Sequence, residues 1–343
     1  MGSGAALAWL GAFGWIVFVA AAIVSFGLLL LLRPLLARRA LVHPNARSSH
    51  KVPTPQGGGL AVVAATLGVV IVCDLFDVTG AQGLSLWLVL AATAFITIVG
   101  GLDDVHSITV VLRLLLQAIA VAIVLIALPE ELRALPFLPA WLERAFEGVA
   151  LLWFVNLTNF MDGIDWMTVA EIVPVSAGLV LLGLVGALPR EATLVALALC
   201  GATIGFAPVN RPVARLFLGD VGSLPIGLVL GWLLIVLAGG GHAAAALLLP
   251  LYYLADATAT LLRRAAKGEP VWQAHRTHFY QRATDNGYRV MQIVGRVFFL
   301  NIALAALAAA TMLTASAAAH IALLLAGCAL VAWLLYRFNS VKA

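Results

Sequence analysis

Charge is almost absent from long tracts of this chain, and no other property narrows its folding options so far. Lys, Arg, Asp and Glu are missing from residues 1–32, 53–73, 78–102, 172–189, 192–210, 221–255 and 297–336. Each tract approaches or exceeds the roughly 18 to 20 apolar residues that carry a helix across a hydrocarbon core. Only 10% of the 343 residues are charged and 63% are hydrophobic, against about 25% charged in an average soluble protein. A soluble globular enzyme is excluded, and the sequence predicts an all-α, polytopic integral membrane protein.

Cutting the tracts at charges and at Gly/Pro turns gives eleven helices, near 11–33, 58–75, 84–101, 108–128, 145–158, 168–188, 191–208, 221–238, 243–262, 290–313 and 316–337. The fifth is short. Gly239-Gly240-Gly241 and the segment Thr314 to Ser316 are the cheapest places to reverse direction within the two longest tracts. The first positive residue, Arg33, follows the first apolar stretch rather than preceding it, so this stretch reads as a retained span with a periplasmic N-terminus. Loops then alternate, and fourteen Lys and Arg fall on one side: Arg38, Arg39, Arg47, Lys51, Arg211, Arg215, Arg263, Arg264, Lys267, Arg276, Arg282, Arg289, Arg337 and Lys342. Arg133, Arg144 and Arg190 fall on the other. That asymmetry marks the first side as cytoplasmic and places the C-terminus there too. The whole of residues 1–343 reads as one transmembrane domain, with cytoplasmic loops near 37–57, 101–108, 159–167, 209–220 and 263–289.

Asp103, Asp104, Asp162, Asp165, Asp220 and the segment His275 to Tyr280 emerge on this cytoplasmic face from four loops. Carboxylates gathered on an otherwise basic surface suit a divalent cation and a multiply charged anionic substrate. Nucleic acid is not implied. Cys73, Cys200 and Cys328 lie in apolar tracts without CxxC spacing, which suggests neither a zinc site nor a disulfide framework.

Five segments carry the chemistry. His43 to Gly59, HPNARSSHKVPTPQGGG, is a tight loop entering a helix, where free N–H groups favour phosphate oxygens and Lys51 adds a point charge; an ordinary Gly/Pro connection is the bland alternative. Gly100-Gly101-Leu102-Asp103-Asp104 places two carboxylates at an inner helix end, costly unless a cation or donors share the charge. One could hold Mg²⁺ while the other accepts a proton or orients a phosphate. Asn156, Asn159, Asp162 and Asp165 recur every three residues, making one stripe if the segment is helical, unless Gly163 breaks it. Asn210 to Ser223 sets Asp220 between glycines, with Phe217 able to stack on a planar base. His275-Arg276-Thr277-His278 resembles a diphosphate and sugar surface more than a metal site, because Arg pairs with phosphate and repels metal.

Taken together, PNARSSHKVPTPQGGG, GLDD, NFMDGID, FLGDVGSLPIG and HRTHFYQR, in that order over residues 44–282, resemble the polyprenyl-phosphate N-acetylhexosamine-1-phosphate transferases. The similarity is closest to the branch that initiates O-antigen synthesis. The resemblance implies transfer of a sugar 1-phosphate from a UDP-activated N-acetylated sugar to undecaprenyl phosphate at the bacterial inner membrane, with Mg²⁺, or Mn²⁺ in its place, and release of UMP. It implies Asp220 as metal ligand together with Asp103, and Asp103, Asp104, Asp162 and Asp165 as the catalytic carboxylates. It sets Lys51 and Thr54 by the phosphates, Asn156, Asn159, Asn210 and Phe217 near the uridine and metal, and His275, Arg276 and His278 by the diphosphate and sugar. A homodimer is compatible with this reading.

Three positions depart from the family pattern. Val42 stands where relatives often have Asp, Gln56 where many have Arg, and Trp166 where many have Gly. The missing Arg removes a phosphate-facing cation, and Trp166 is expected to narrow the nucleotide or sugar pocket. The rival class is a secondary transporter with intramembrane acids, for which Glu171, Asp256 and Arg296 are the residues to watch. Asp256 is expected to pair with an arginine such as Arg263. A CDP-alcohol phosphotransferase is disfavoured, because Ile-Asp-Trp-Met follows Asp162-Gly163 in place of its signature.

Overall fold

The computed structural model describes residues 13–42, 53–80, 84–271, 273 and 275–342. Helices dominate the described residues: α1 (Trp15–Arg39), α2 (Gly59–Leu75), α3 (Ser85–His106), α4 (Val110–Ala127), α5 (Ala140–Met161), α6 (Met167–Leu184) and α7 (Arg190–Asn210). They continue as α8 (Asp220–Leu237), α9 (Ala243–Leu248), α10 (Leu251–Ala266), α11 (Phe279–Asp285), α12 (Val290–Ala310) and α13 (Ala317–Asn339). Among the described residues eight helical stretches are long and apolar enough to cross a membrane, and α2 is a shorter apolar helix. The chain is an all-α polytopic membrane protein. Its small exception is an antiparallel ribbon of two-residue strands, β1 (Leu41–Val42) and β2 (Thr54–Pro55).

Two helices differ from the sequence expectation. The fifth is not short: α5 begins at Ala140 and runs 22 residues, because the charges in its first turns are satisfied. Glu143 accepts from Arg133 and from Leu135 N at 2.8 Å, and Glu147 from Arg144 at 2.7 Å. The expected helix 243–262 is divided at Pro250 into α9 and α10, since proline supplies no N–H for the ladder. The glycine run 239–241, expected to reverse the chain, kinks it, with Gly241 at φ 91°, and the helical stretch runs on to Leu248.

Burial orders the bundle. Of the span 220–248, 89% of the residues in its most apolar window are buried, against 22% for α1 and for α13. Thus α8 is the central post, apolar around its whole circumference as a surrounded helix must be, while α1 and α13 turn large side chains such as Leu31 and Trp333 outward. The post packs on α3 and α5; α7 joins α1 to α6, and α12 lies on α6. Polar side chains cross-link these apolar surfaces. Asn301 of α12 donates to Glu171 at 2.6 Å and to the Ala170 carbonyl at 3.0 Å. Such contacts add to close packing between helices in lipid.

Three glycines bring α2, α3 and α8 together at the end where Asp103 and Asp104 of α3 lie. A Cβ on Gly59 would fall 2.2 Å from Gly222 Cα, and one on Gly100 would fall 2.3 Å from the Asp220 carbonyl oxygen. Backbones therefore touch, as at other small-residue crossings. Gly100→Leu is expected to destabilise the purified protein by about 1–3 kcal/mol through overpacking, seen as a lowered Tm. Gly68→Ala, where a Cβ meets nothing within 4 Å, is expected to stay within about 0.5 kcal/mol of the parent.

Candidate active site

Several helix ends converge around the N-terminus of α8. Asp104, in the last turn of α3, accepts from the backbone N–H groups of Asp220 at 2.9 Å and Val221 at 3.1 Å, and from the Gln56 side-chain amide. The first amides of a helix have no partner within it, and a carboxylate there also meets the positive end of the helix dipole. Gln56 is itself held by the β2 segment, which pairs with the α7–α8 connection: Phe217 N donates to the Pro55 carbonyl at 2.9 Å, and Gly58 and Gly59 donate to the Phe217 and Leu218 carbonyls at 2.9 and 2.8 Å. Gln56 thus supports a carboxylate.

Asp220 is the first residue of α8. Its Oδ1 accepts from Asn159 at 2.7 Å, and the same amide donates to Ser223 at 2.9 Å. Arg113, on α4, lies 3.7 Å from the other oxygen of Asp220 and 2.9 Å from Asp103. Both oxygens of Asp103 are engaged, since Ile108 N donates to the second at 2.6 Å. Asp162, just past α5, accepts from Thr168. Burial pushes its carboxyl up to about 7; the Thr168 bond opposes this, and the neighbouring charges of Asp220, Asp104 and Asp165 add to it.

Asp103, Asp104, Asp162 and Asp220 are therefore neighbouring carboxylates, and Arg113 lies beside two of them, Asp103 and Asp220. Among the described residues no three acid, His or Cys side chains are gathered closely enough to form a metal cage. Mg²⁺ does not require one: it takes hard oxygen donors, commonly one or two carboxylates completed by waters and substrate phosphates. The carboxylate oxygens of Asp220 and Asp162, beside the amide oxygen of Asn159, match that donor chemistry, and the excess negative charge favours a cation.

A groove of about 650 Å³ opens from this centre between α4, α5 and α10. Val110, Leu114, Val149, Leu152, Trp153 and Leu261 make its apolar walls, and Arg113, Asn156, Asn159, Gln273, His275 and His278 its polar end. Asn156 donates to Gln117 of α4 at 2.7 Å, fixing one wall to the next. The His275 and His278 rings stack with centroids 4.9 Å apart. Burial, and then the proximity of His278 and Arg264, push His275 down to about 4, so its ring is neutral at physiological pH.

Other expected site residues hold the frame. Asp165 accepts from Ala214 N at 2.9 Å, and Asn210 accepts from Trp166 N at 2.8 Å while donating to the Leu216 carbonyl at 3.0 Å; both pin the connection that carries Phe217. Thr54 is buried in β2. Arg276 is turned from the groove: it donates to Thr284 at 2.9 Å and lines a separate basic pocket of about 320 Å³ with Arg263, Arg264, Lys267 and Arg282. Lys51 lies outside the described residues. Trp166 does not narrow the groove. Its backbone is left-handed, φ 62°, the conformation that favours glycine, and its indole donates to the Ala207 carbonyl at 2.6 Å against α7.

Sequence reasoning passed over Arg113; its place one turn into the helix after the Asp pair was the available signal. Asp256 does not pair with the arginine expected. Its carboxylate pairs with His278, whereas Arg263 lies over the Phe279 ring at 5.0 Å.

Architecture and site together define a multi-pass membrane protein with a carboxylate-rich centre at the mouth of an apolar groove. The profile of glycosyl transferase family 4 matches residues 86–238, the stretch from α3 through the start of the 238–242 bend. The chain is 27% identical to the probable undecaprenyl-phosphate N-acetylglucosaminyl 1-phosphate transferase of Bacillus subtilis (strain 168), over 82% of this chain and 83% of that protein. It is 26% identical to the undecaprenyl-phosphate alpha-N-acetylglucosaminyl 1-phosphate transferase of Yersinia pestis, over 73% and 70%. With the decaprenyl-phosphate N-acetylglucosaminephosphotransferase of Mycobacterium tuberculosis (strain ATCC 25618 / H37Rv) it shares 29% identity over 56% of this chain and 52% of that one. The match to glycosyl transferase family 4 and the names of these relatives support the polyprenyl-phosphate sugar-1-phosphate transferases as the family of this chain.

The cap on α8 yields a direct test. Asp104→Asn turns one of the two accepting oxygens into a donor, so one of the amides of Asp220 and Val221 loses its acceptor and its hydrogen exchange is expected to rise. The loss of stability should be about 1–3 kcal/mol, read by thermal melting.

Proposed function

We propose that the protein transfers a sugar 1-phosphate from a UDP-activated N-acetylated sugar to a polyprenyl phosphate such as undecaprenyl phosphate. The reaction leaves polyprenyl-diphosphate-sugar and UMP, and the site faces the cytoplasm. One observation carries this reading: an apolar groove along α4, α5 and α10 ends at a polar centre containing Arg113, Asn159 and His278. A lipid phosphate needs that combination, its chain lying along hydrocarbon and its head among charges. The family relationship supports the same reaction.

In this reaction an oxygen of the lipid phosphate forms a bond to the β-phosphorus of the UDP-sugar. The bond from that phosphorus to the bridging oxygen breaks, and the oxygen leaves with UMP. A phosphate monoester is largely dianionic at neutral pH, with a second pKa near 6, so the nucleophile needs little help from a base. Asp103 and Asp104 act instead by holding Arg113 and the start of α8. Arg113 neutralises charge on the transferring phosphoryl group, as guanidinium clamps do. Asn159 orients the Asp220 carboxylate, and neutral His275 stacks beside His278 at the donor's diphosphate and sugar. Mg²⁺, held by Asp220 with Asp162 nearby, supplies neutralisation of phosphate charge when bound. Phosphoryl transfer asks chiefly for such positioning and charge compensation.

The deciding experiment incubates purified protein with undecaprenyl phosphate, Mg²⁺ and a panel of UDP-sugars and scores UMP release. Release with at least one donor is expected; release with none would end the proposal. Asp220→Ala is expected to abolish Mg²⁺-dependent release while Tm stays near that of the parent. Arg113→Gln is expected to lower kcat/KM on the order of 10²-fold, the usual loss for one transition-state donor, and Arg113→Lys to recover part of it.

A further inference from the structure

Asp256 is buried completely, in the middle of α10, and its surroundings are unlike those of a stray charge. Tyr252 Oη donates to Oδ2 at 3.1 Å and Thr260 Oγ1 to Oδ1 at 3.3 Å, both from α10 itself. The backbone N–H groups of Phe279 and Tyr280 donate to Oδ1 at 2.9 Å and Oδ2 at 3.1 Å, and His278 Nδ1 lies 3.3 Å from Oδ1. Five partners can all serve as donors, the pattern an ionised carboxylate satisfies, since it accepts only.

This arrangement fixes the imidazole. With Nδ1 facing an acceptor-only group, the proton of neutral His278 resides on Nδ1, and Nε2 is left as the ring's second functional nitrogen. His278 lines the groove although its side chain is only 3% exposed. Phe160 and Tyr280 flank the ring, with centroids 6.3 and 5.8 Å away. Tyr280 Oη donates to the Phe160 carbonyl at 3.0 Å, which ties the same segment to the end of α5.

We infer that Asp256 is a positioning residue for transfer: by anchoring His278 Nδ1 and the first amides of the segment that follows, it presents His278 Nε2 to the donor's diphosphate or sugar in the groove. The inference deepens the proposed function and rests on it for the identity of the ligand. A side chain on α10 thereby sets the chemistry of a loop residue 22 positions later, and the buried acid needs no transport role.

The test is a double-mutant cycle on the full-length protein, with UMP release measured using undecaprenyl phosphate and a UDP-sugar that the parent accepts. Asp256→Asn is expected to lower kcat/KM by about 10²-fold, the scale of loss for a misplaced group. In the His278→Ala background the same substitution is expected to cost less than about twofold, because the residue it acts through is gone. A role confined to fold stability would give equal losses in both backgrounds, and that result overturns the inference, as does Asp256→Asn at parental activity. Tyr252→Phe, which removes one donor and no charge, gives a milder variant should Asp256→Asn not fold; its loss is expected to vanish in the His278→Ala background, and equal loss there also overturns the inference. If the parent releases no UMP with any donor, the functional reading fails separately. Hydrogen exchange then still decides the anchoring: faster exchange at Phe279 and Tyr280 in the Asp256 or Tyr252 variant supports it, and unchanged exchange overturns it.

Discussion

A carboxylate on one membrane helix caps the N-terminus of another, and the site is arranged around that contact. Asp104 of α3 takes the first two amides of α8, so the position of Asp220 is set by backbone geometry rather than by a flexible side chain alone. In an apolar medium an uncapped helix end would leave those amides unpaired at a cost of several kcal/mol. The same cost explains why the neighbours of Asp104 are so small. Gly59, Gly100 and Gly222 let three backbones approach until they touch, and any side chain there would separate the cap from the helix it closes.

Charge compensation organises the remainder of the centre. Asp103 spends both oxygens on Ile108 N and Arg113, which holds the guanidinium toward Asp220 while leaving the cluster net negative. A centre of this kind suits a cation and then a substrate that brings more negative charge, with Arg113 already in place. The groove's apolar walls reach the polar end without an intervening barrier of charged side chains. On the proposed reading, a lipid head group would therefore meet its reaction partner without its chain leaving hydrocarbon.

The helices and the grouping of the acids were legible in the sequence because both depend on patterns along the chain. Uncharged tracts mark spans wherever charge is costly, and Asp103, Asp104, Asp162 and Asp220 gather because the C-terminal ends of α3 and α5 meet the N-terminal end of α8. What the sequence concealed depends on partners distant in the chain. Charges in the first turns of α5 looked like a helix boundary, yet Arg133 folds back to neutralise Glu143. Trp166 looked like an obstruction because its neighbours in sequence are site residues; its left-handed backbone directs the indole to α7 instead. Arg276 lies between two groove histidines in sequence but on the other side of their segment in space. The partner of Asp256 was a matter of geometry, since three arginines and two histidines follow it within 22 residues.

One contact bears on how this family can be recombined. Gly163 sits beneath Tyr280 so closely that a Cβ would fall 2.1 Å from the phenol oxygen. The turn after α5 and the segment bearing the histidines are consequently a matched pair, although more than a hundred residues separate them in the chain. A chimaera that grafts a relative's histidine segment must carry over a compatible turn at 160–163, or the graft will not seat.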